Sequence, residues 1–356
     1  MEIMLEIDGS RGEGGGQILR TSLSLSALTG RPFRLINIRA NRTKPGLRPQ
    51  HLTAVRAAAI ICQATLRGDA INSQFLEFQP QSRPQGGTYR LDVNDAAPHG
   101  SAGSVTLIAQ TLLWPLLFAT GPARLVLAGG THVPFSPSFH YLGKVAQPVF
   151  TRLGARFTTS LHAWGWNPAG GGELQATIQP VSHLTALTLD PVATRDIRGV
   201  AAVTNLPAHI PQRMTQRAHN LLQEAGFKPR IEPVREKGVA AGAGIFLWLP
   251  QAGFAALGRR GLPAEKVAET AVADLLEFMD NPDAAVDHHL ADQLLLPMAL
   301  ANGRSSFTTD RLTQHTRTNA DLLQNWLDVE ITLNGNLNEP ATITVTGIDF
   351  RFSSSG

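Results

Sequence analysis

One arrangement of apolar residues and glycines occurs three times along the chain, and it limits the fold more than any other feature. Leu23–Gly30 (LSLSALTG) leads into the strand-like Phe33–Ile38 (FRLINI), Leu113–Gly121 (LWPLLFATG) into Ala123–Leu127 (ARLVL), and Leu294–Gly303 (LLLPMALANG) into Ser305–Thr309 (SSFTT). Each copy reads as an apolar helix, a glycine stop, a short strand, then a polar loop leading to another helix. A glycine just past an apolar helical run supplies the left-handed residue that ends a helix. The second helices are expected over Gln50–Ala64, Ser138–Leu153 and Thr318–Leu327. One such unit cannot bury its apolar face alone, so tandem units pack on one another. The expectation is an α/β (α+β) core of repeated βα units, each a small sheet with helices on one side.

Between the second and third copies the arrangement lapses. The segment holds a strand-like start (Ile197–Val203), a helix (Pro211–Ala225), strands (Arg230–Pro233 and Gly244–Leu249) and a helix from Pro263 to Met279. It reads as a smaller α/β domain inserted over residues 185–280, with 1–184 and 281–356 as the repeated-unit core. Insertions are tolerated where the ends of the host chain lie close together.

Ligands of open α/β sheets sit beyond the carboxyl ends of strands. Counting twelve residues on from each glycine stop reaches Arg42 in the first copy, His315 in the third, and Val133, beside His132, in the second. If the units pack side by side, these groups converge. From Gly14 to Gly68 there is no Asp or Glu, while Arg20, Arg31, Arg34, Arg39, Arg42, Lys44, Arg48, Arg56 and Arg67 all fall there. Such a stretch attracts a polyanion. Its bland reading is a solvated basic face. In IDGSRGEGGGQILR a strand enters, glycines turn and a helix starts, a junction whose backbone N–H groups can hold an anion. It lacks the Gly-Lys-Ser/Thr of a P-loop and the third glycine of a dinucleotide fingerprint. Glu13, set among glycines, is free to bind a metal.

Other chemistries lack their residues. No His-Glu-x-x-His occurs, and no Gly-x-Ser-x-Gly. Cys62 is the sole cysteine, which excludes an internal disulfide or a cysteine-based zinc site. The apolar stretch Leu107–Ala119 contains Gln110 and Pro115 and falls short of the roughly 20 apolar residues of a membrane span. With no basic-then-apolar leader, a cytoplasmic protein without membrane contact is expected.

The blocks IDGSRGEGGGQILRTSLSLSALTGRPF, NIRANRTKPGLRPQHLTAV, AGGTHVPFSPSFHYL, HLADQLLLPMALA and QHTRTN, in this order, resemble RNA 3'-terminal phosphate cyclases. The resemblance runs from Asp8 to about Leu327, and the unpatterned segment falls where that family has its insert. It implies a core similar to repeated units of the translation initiation factor 3 C-terminal type. It also implies a ligase that uses ATP, with Mg²⁺ or Mn²⁺, to turn the 3'-terminal phosphate of an RNA into a 2',3'-cyclic phosphate through a histidine–AMP intermediate. His315 inherits the nucleophile and Glu13 the metal. Nucleotide and phosphate contacts fall on Arg20, Arg39, Arg42, Gln50, Gln110, Pro134, Phe135, His289, Asp292 and Gln293. His132 and His289 stand where the family has other residues. The resemblance leaves the oligomeric state open. Two alternatives share the unit: a non-catalytic RNA-binding relative acting in ribosomal RNA processing, and an enolpyruvyl transferase.

Overall fold

The computed structural model describes residues 4–97, 100–194 and 196–352. The first unit runs β1 (Leu5–Asp8), α1 (Gly16–Thr29), β2 (Phe33–Ile36), α2 (Pro49–Cys62), β3 (Thr65–Arg67) and β4 (Leu76–Gln79). β1 and β2 are parallel, joined through α1, and β2 then pairs antiparallel with β4, giving the order β1-β2-β4-β3. Parallel neighbours need such a crossover, whereas β3 and β4 are antiparallel.

The second unit repeats this plan. It comprises β5 (Gly87–Asp92), α3 (Val105–Leu117) and β6 (Ala123–Gly129), then a helical run, then β7 (Arg156–Ala163) and β8 (Gly172–Gln179), in the order β5-β6-β8-β7. The run is α4 (Phe139–Tyr141), a π-helical turn (Leu142–Ala146) and α5 (Gln147–Arg152). The segment expected as an insert follows with β9 (Asp196–Thr204), α6 (His209–Glu224), β10 (Lys228–Glu236), β11 (Gly242–Leu249), β12 (Ala252–Leu257) and α7 (Ala264–Met279), its sheet ordered β10-β9-β11-β12. The Ala- and Gly-rich β12 carries no β-branched residue, so its strand character comes from pairing with β11 rather than from local preference.

The third unit runs α8 (His288–Leu300), β13 (Asn302–Thr309), α9 (Gln314–Trp326), β14 (Glu330–Asn334) and β15 (Ala341–Ile348), in the order β13-β15-β14. Its first strand is split. Residues 185–189 lie parallel along the free edge of β13, pairing Thr185 with Asn302 and Thr188 with Ser306, and Val286 pairs farther along with Thr309. The chain leaves this edge after Leu189, builds the insert and returns at Ala285. Where the two ends meet, Val192 N–H donates to the Ala284 carbonyl at 3.2 Å.

Helices α1, α2 and α3 pack on one another, α1 also meets α9, and α8 meets α9. One apolar cluster joins the three units, and a second holds only residues between Ile197 and Ala284. Leu23, Leu25 and Leu28 of α1 are wholly buried, each stabilising the fold by about 1.5–3 kcal/mol. Serines between them are tolerated where a carbonyl receives the hydroxyl, as Thr111 O does for Ser24 Oγ at 2.8 Å. Among the described residues no helix is long and apolar enough to cross a membrane.

Candidate active site

The glycines before α1 place a carboxylate on a histidine 302 positions away. Gly12 and Gly14 have φ of 58° and 56°, the left-handed region that costs glycine nothing. A Cβ on Gly12 would also overlap the Thr318 hydroxyl of α9. The bare backbone therefore lies against α9, and Glu13 Oε2 accepts from His315 Nδ1–H at 2.6 Å. A carboxylate only accepts, so the proton sits on Nδ1 and the lone pair on Nε2. Arg42 Nη2 lies 3.4 Å from the same oxygen, while Glu13 Oε1 has no partner among the described residues. Thus the slots of the first and third units meet on one carboxylate.

His315 itself stands in the first turn of α9. The helix starts at Gln314, earlier than its apolar residues indicate, because the Thr313 side chain caps it by accepting from Thr316 N–H at 3.1 Å. The other face of the site is a small polar pocket between α1, α3, α8 and α9, lined by Arg20, Gln110, Asp292 and Gln293 with Gln17 and Asn319. Gln110 is the one residue of α3 that is not buried, and its Nε2 donates to Gln293 Oε1 at 2.5 Å. Asp292 Oδ1 accepts from Gln17 Nε2 and, at 3.0 Å, from Asn319 Nδ2. Its Oδ2 lies 4.0 Å from His315 Nε2. Asp292 therefore does not cap α8. Asp287 does, accepting from the N–H groups of His289 and Leu290.

The Arg20 guanidinium makes no hydrogen bond or ion pair among the described residues. Burial pushes it down to about 10, against the pull of the Asp292 carboxylate. His51 is buried beside it. Its Nδ1 accepts from Arg48 N–H at 3.2 Å, which leaves Nε2 as the donor. Burial, then Arg20, Arg39 and Arg48, hold this imidazole well below the usual histidine range, so it is neutral. A Cβ on Gly16 would meet both His51 Nε2 and Arg20 Nη1, so these donors converge on the first turn of α1. That helix has a glycine at its N-cap, no side-chain cap and no acid in its first turn. Free helix N–H groups, an unpaired guanidinium and an imidazole N–H together make an anion site.

The remaining expected residues fall elsewhere in the fold. Arg39, with φ of 55°, is tied to its own loop, donating to Lys44 O and Gly46 O. Gln50 Oε1 accepts from Ser104 N–H at 2.8 Å, fastening the start of α2 to that of α3. His289 is exposed in the first turn of α8, its ring 6.4 Å from that of Tyr141. Pro134 and Phe135 line a separate cavity with Phe246, Leu257 and Leu262 of the insert. The expected convergence of the second unit's slot does not occur. His132 is wholly buried, stacked on Trp164 at 4.4 Å, because three aromatic residues distant in sequence (Trp164, Trp166 and Phe246) enclose it. Part of the basic run is structural: Arg34 and Arg67 face Glu77, and Arg56 faces Asp69. Sequence reasoning missed Gln17, His51 and Asn319, polar residues that α1, α2 and α9 bury.

Comparison with known proteins bears on this geometry. The family model for RNA 3'-terminal phosphate cyclase matches residues 11–333. The chain is 52% identical to the RNA 3'-terminal phosphate cyclase of Gloeothece citriformis, over 93% of this chain and 96% of that one. It is 51% identical to that of Nostoc punctiforme, with the same coverage, and 41% identical to that of Archaeoglobus fulgidus, over 94% and 98%. The matched span contains the positions of Glu13, Arg20, Asp292 and His315, and the chain belongs to the RNA 3'-terminal phosphate cyclase family.

Proposed function

We propose that the cyclase reaction runs through His315 in three transfers. Nε2 attacks the α-phosphorus of ATP, and pyrophosphate leaves. An oxygen of the RNA 3'-phosphate then attacks the phosphorus of the histidine-bound AMP, freeing His315 and giving an adenylylated RNA end. Finally the neighbouring 2'-hydroxyl attacks that end's own 3'-phosphorus, and AMP leaves with the cyclic phosphate formed. A positioned neighbour removes about 7–11 kcal/mol of entropic and solvent cost from this last step.

The observation that carries the reading is the pairing of His315 Nδ1 with Glu13, which leaves the Nε2 lone pair free, 4.0 Å from Asp292 Oδ2, which also lines the pocket holding the unpaired Arg20 guanidinium. An imidazole so oriented is a competent nucleophile. Negative charge spreads over the phosphoryl oxygens in each transfer, and fixed cations stabilise it. In this reading Arg20 and Arg42 supply those cations, the first turn of α1 and His51 supply neutral donors, and Gln110, Asp292 and Gln293 contact the nucleotide. Arg39, Gln50, Pro134, Phe135 and His289 are nucleotide and phosphate contacts in this reading through the family resemblance alone.

Mg²⁺ in phosphoryl-transfer sites is held by one or two carboxylates with substrate phosphates and waters completing its shell. Glu13 Oε1 fits that need, and a bound Mg²⁺ or Mn²⁺ would neutralise charge on the triphosphate. The units' shared β-α-β-α-β-β order supports the likeness to the translation initiation factor 3 C-terminal type. Separate apolar clusters support a core with one inserted domain, and the pairing of residues 185–189 along β13 favours a near boundary of about 190 over 185.

Incubation of purified protein with ATP labelled at the α-phosphate tests the reading. The wild type is expected to carry label after denaturation, and His315→Ala to carry none while unfolding at the same temperature. Undiminished label on that variant would remove the mechanism and favour a non-catalytic RNA-binding role for the site.

A further inference from the structure

A second cleft, of about 620 Å³, opens between the insert's sheet and the second unit. That size lies within the roughly 300–1,000 Å³ of small-ligand sites. Alternation along the strands dictates its walls. Ile197, Ala201 and Val203 of β9, and Ile245 and Leu247 of β11, belong to the insert's own apolar cluster. Arg198 and Trp248 therefore project from the opposite face of the same strands, and both line the cleft with Arg230 of β10. The second unit closes the other side with His140, Lys144 and Trp164.

The chemistry of this lining is one-sided. Arg198 and Lys144 are exposed and have no carboxylate partner among the described residues. Arg230 has only a loose contact of 3.8 Å with Asp196. Glu232 is the lone acid of the wall. His132 Nε2 and His140 Nδ1 share a hydrogen bond at 2.9 Å, and burial pushes His140 down to about 4, so its imidazole is neutral. Between these side chains stand two half-buried indoles, Trp164 and Trp248.

Unpaired cations that follow a backbone, interleaved with aromatic side chains, are what a single nucleic-acid strand requires: phosphates meet the cations and bases stack on the rings. We infer that this cleft binds a single-stranded stretch of the RNA substrate, upstream of the 3'-end that reacts at His315. The inference rests on the cyclase reading for the identity of the strand. The helical run carrying His140 and Lys144 also carries Tyr141, whose ring lies 6.4 Å from that of His289 on α8, the helix that carries Asp292 and Gln293. One element thus borders both places.

The test uses the full-length double variant Lys144→Ala/Arg198→Ala, both changes being on exposed side chains. Its substrates are a dinucleotide 3'-phosphate and a single strand of about 12 nucleotides ending in a 3'-phosphate, a length within known single-strand site sizes. The expected result is a KM for the long strand raised roughly tenfold, with kcat, dinucleotide kinetics and self-labelling from ATP unchanged. Losing two phosphate contacts should also lower the salt slope of RNA affinity by about 1.4, at about 0.7 per contact on a single strand. Tryptophan quenching by the long strand supplies that affinity without any turnover. An unchanged KM and slope for the long strand would overturn the inference, as would an equal loss on the dinucleotide. Absence of self-labelling in the wild type would instead sink the cyclase mechanism, and the quenching measurement would still judge the cleft.

Discussion

Replacing Glu13 separates its action on His315 from any action on a metal. Glu13→Gln keeps an oxygen able to accept from Nδ1–H but removes the charge. Hydrogen bonds to charged groups contribute about 1.5–3 kcal/mol and neutral ones about 0.5–1.5. The two side chains are 34% and 37% exposed, so solvent screens the charge and the lower figures apply. The difference is about 1 kcal/mol, or about fivefold in rate. Glu13→Ala removes the bond and the tautomer preference together, at about 1.5 kcal/mol, which is a little over tenfold. The assay is the single-turnover rate of label transfer from α-labelled ATP to the protein, at saturating ATP and over a series of Mg²⁺ concentrations. A weakened metal site alone would be overcome by more Mg²⁺, whereas lost orientation of the imidazole would persist. The expected order is wild type, then Gln, then Ala, with a gap remaining at saturating Mg²⁺ and unfolding free energy within about 0.5 kcal/mol of wild type. Equal rates for all three at saturating Mg²⁺ would refute the positioning argument.

Asp287 is fully buried, accepting from Tyr141 Oη and from the N–H groups of Gly253, His289 and Leu290, and burial pushes its carboxyl up to about 6. The folded state therefore holds this proton more tightly than the unfolded chain, so stability is greatest below about pH 4 and falls as pH rises through 6, by about 3 kcal/mol for this group. Asp287→Asn should flatten that part of the urea-unfolding profile, and an unaltered slope between pH 4 and 6 would contradict it. A strand with a 3'-phosphate on a terminal 2'-deoxy sugar should gain AMP and stop there, because its ring-closing nucleophile is missing, and a strand ending in a 3'-hydroxyl should gain nothing. Mass measurement reads both, and AMP on the 3'-hydroxyl strand would reverse the proposed order of steps.

What could be read from the residues alone follows from where each signal is stored. Gly30 and Gly121 close apolar runs, a local signal, so the repeated units were legible. Gln110 entered only through the family resemblance; it is the one residue of α3 that is not buried, and it lines the pocket. His315 was legible as a residue but not as a helical one, because the start of α9 depends on the Thr313 cap rather than on apolar spacing. Gln17, His51 and Asn319 gave no sign, since a buried polar side chain is explained only by partners far along the chain. His132 shows the reverse failure. Its slot matched those of Arg42 and His315, yet Trp164, Trp166 and Phe246 bury it. The first strand of the third unit escaped notice because its two pieces lie on either side of the insert.

That divided strand has a consequence for how the chain assembles. Residues 185–189 and Val286 must reach the same edge of β13 before the third sheet is complete. Tethering two points about 90 residues apart in a loose chain costs roughly 4 kcal/mol of loop entropy. The insert has its own core and a hydrogen bond closing its neck between Val192 and Ala284. If it folds first, the separation shrinks to a few residues and the entropic barrier to seating α8, and with it Asp292, largely disappears. The insert would then act as a folding clasp that brings the two pieces of the divided strand to the edge of β13 together.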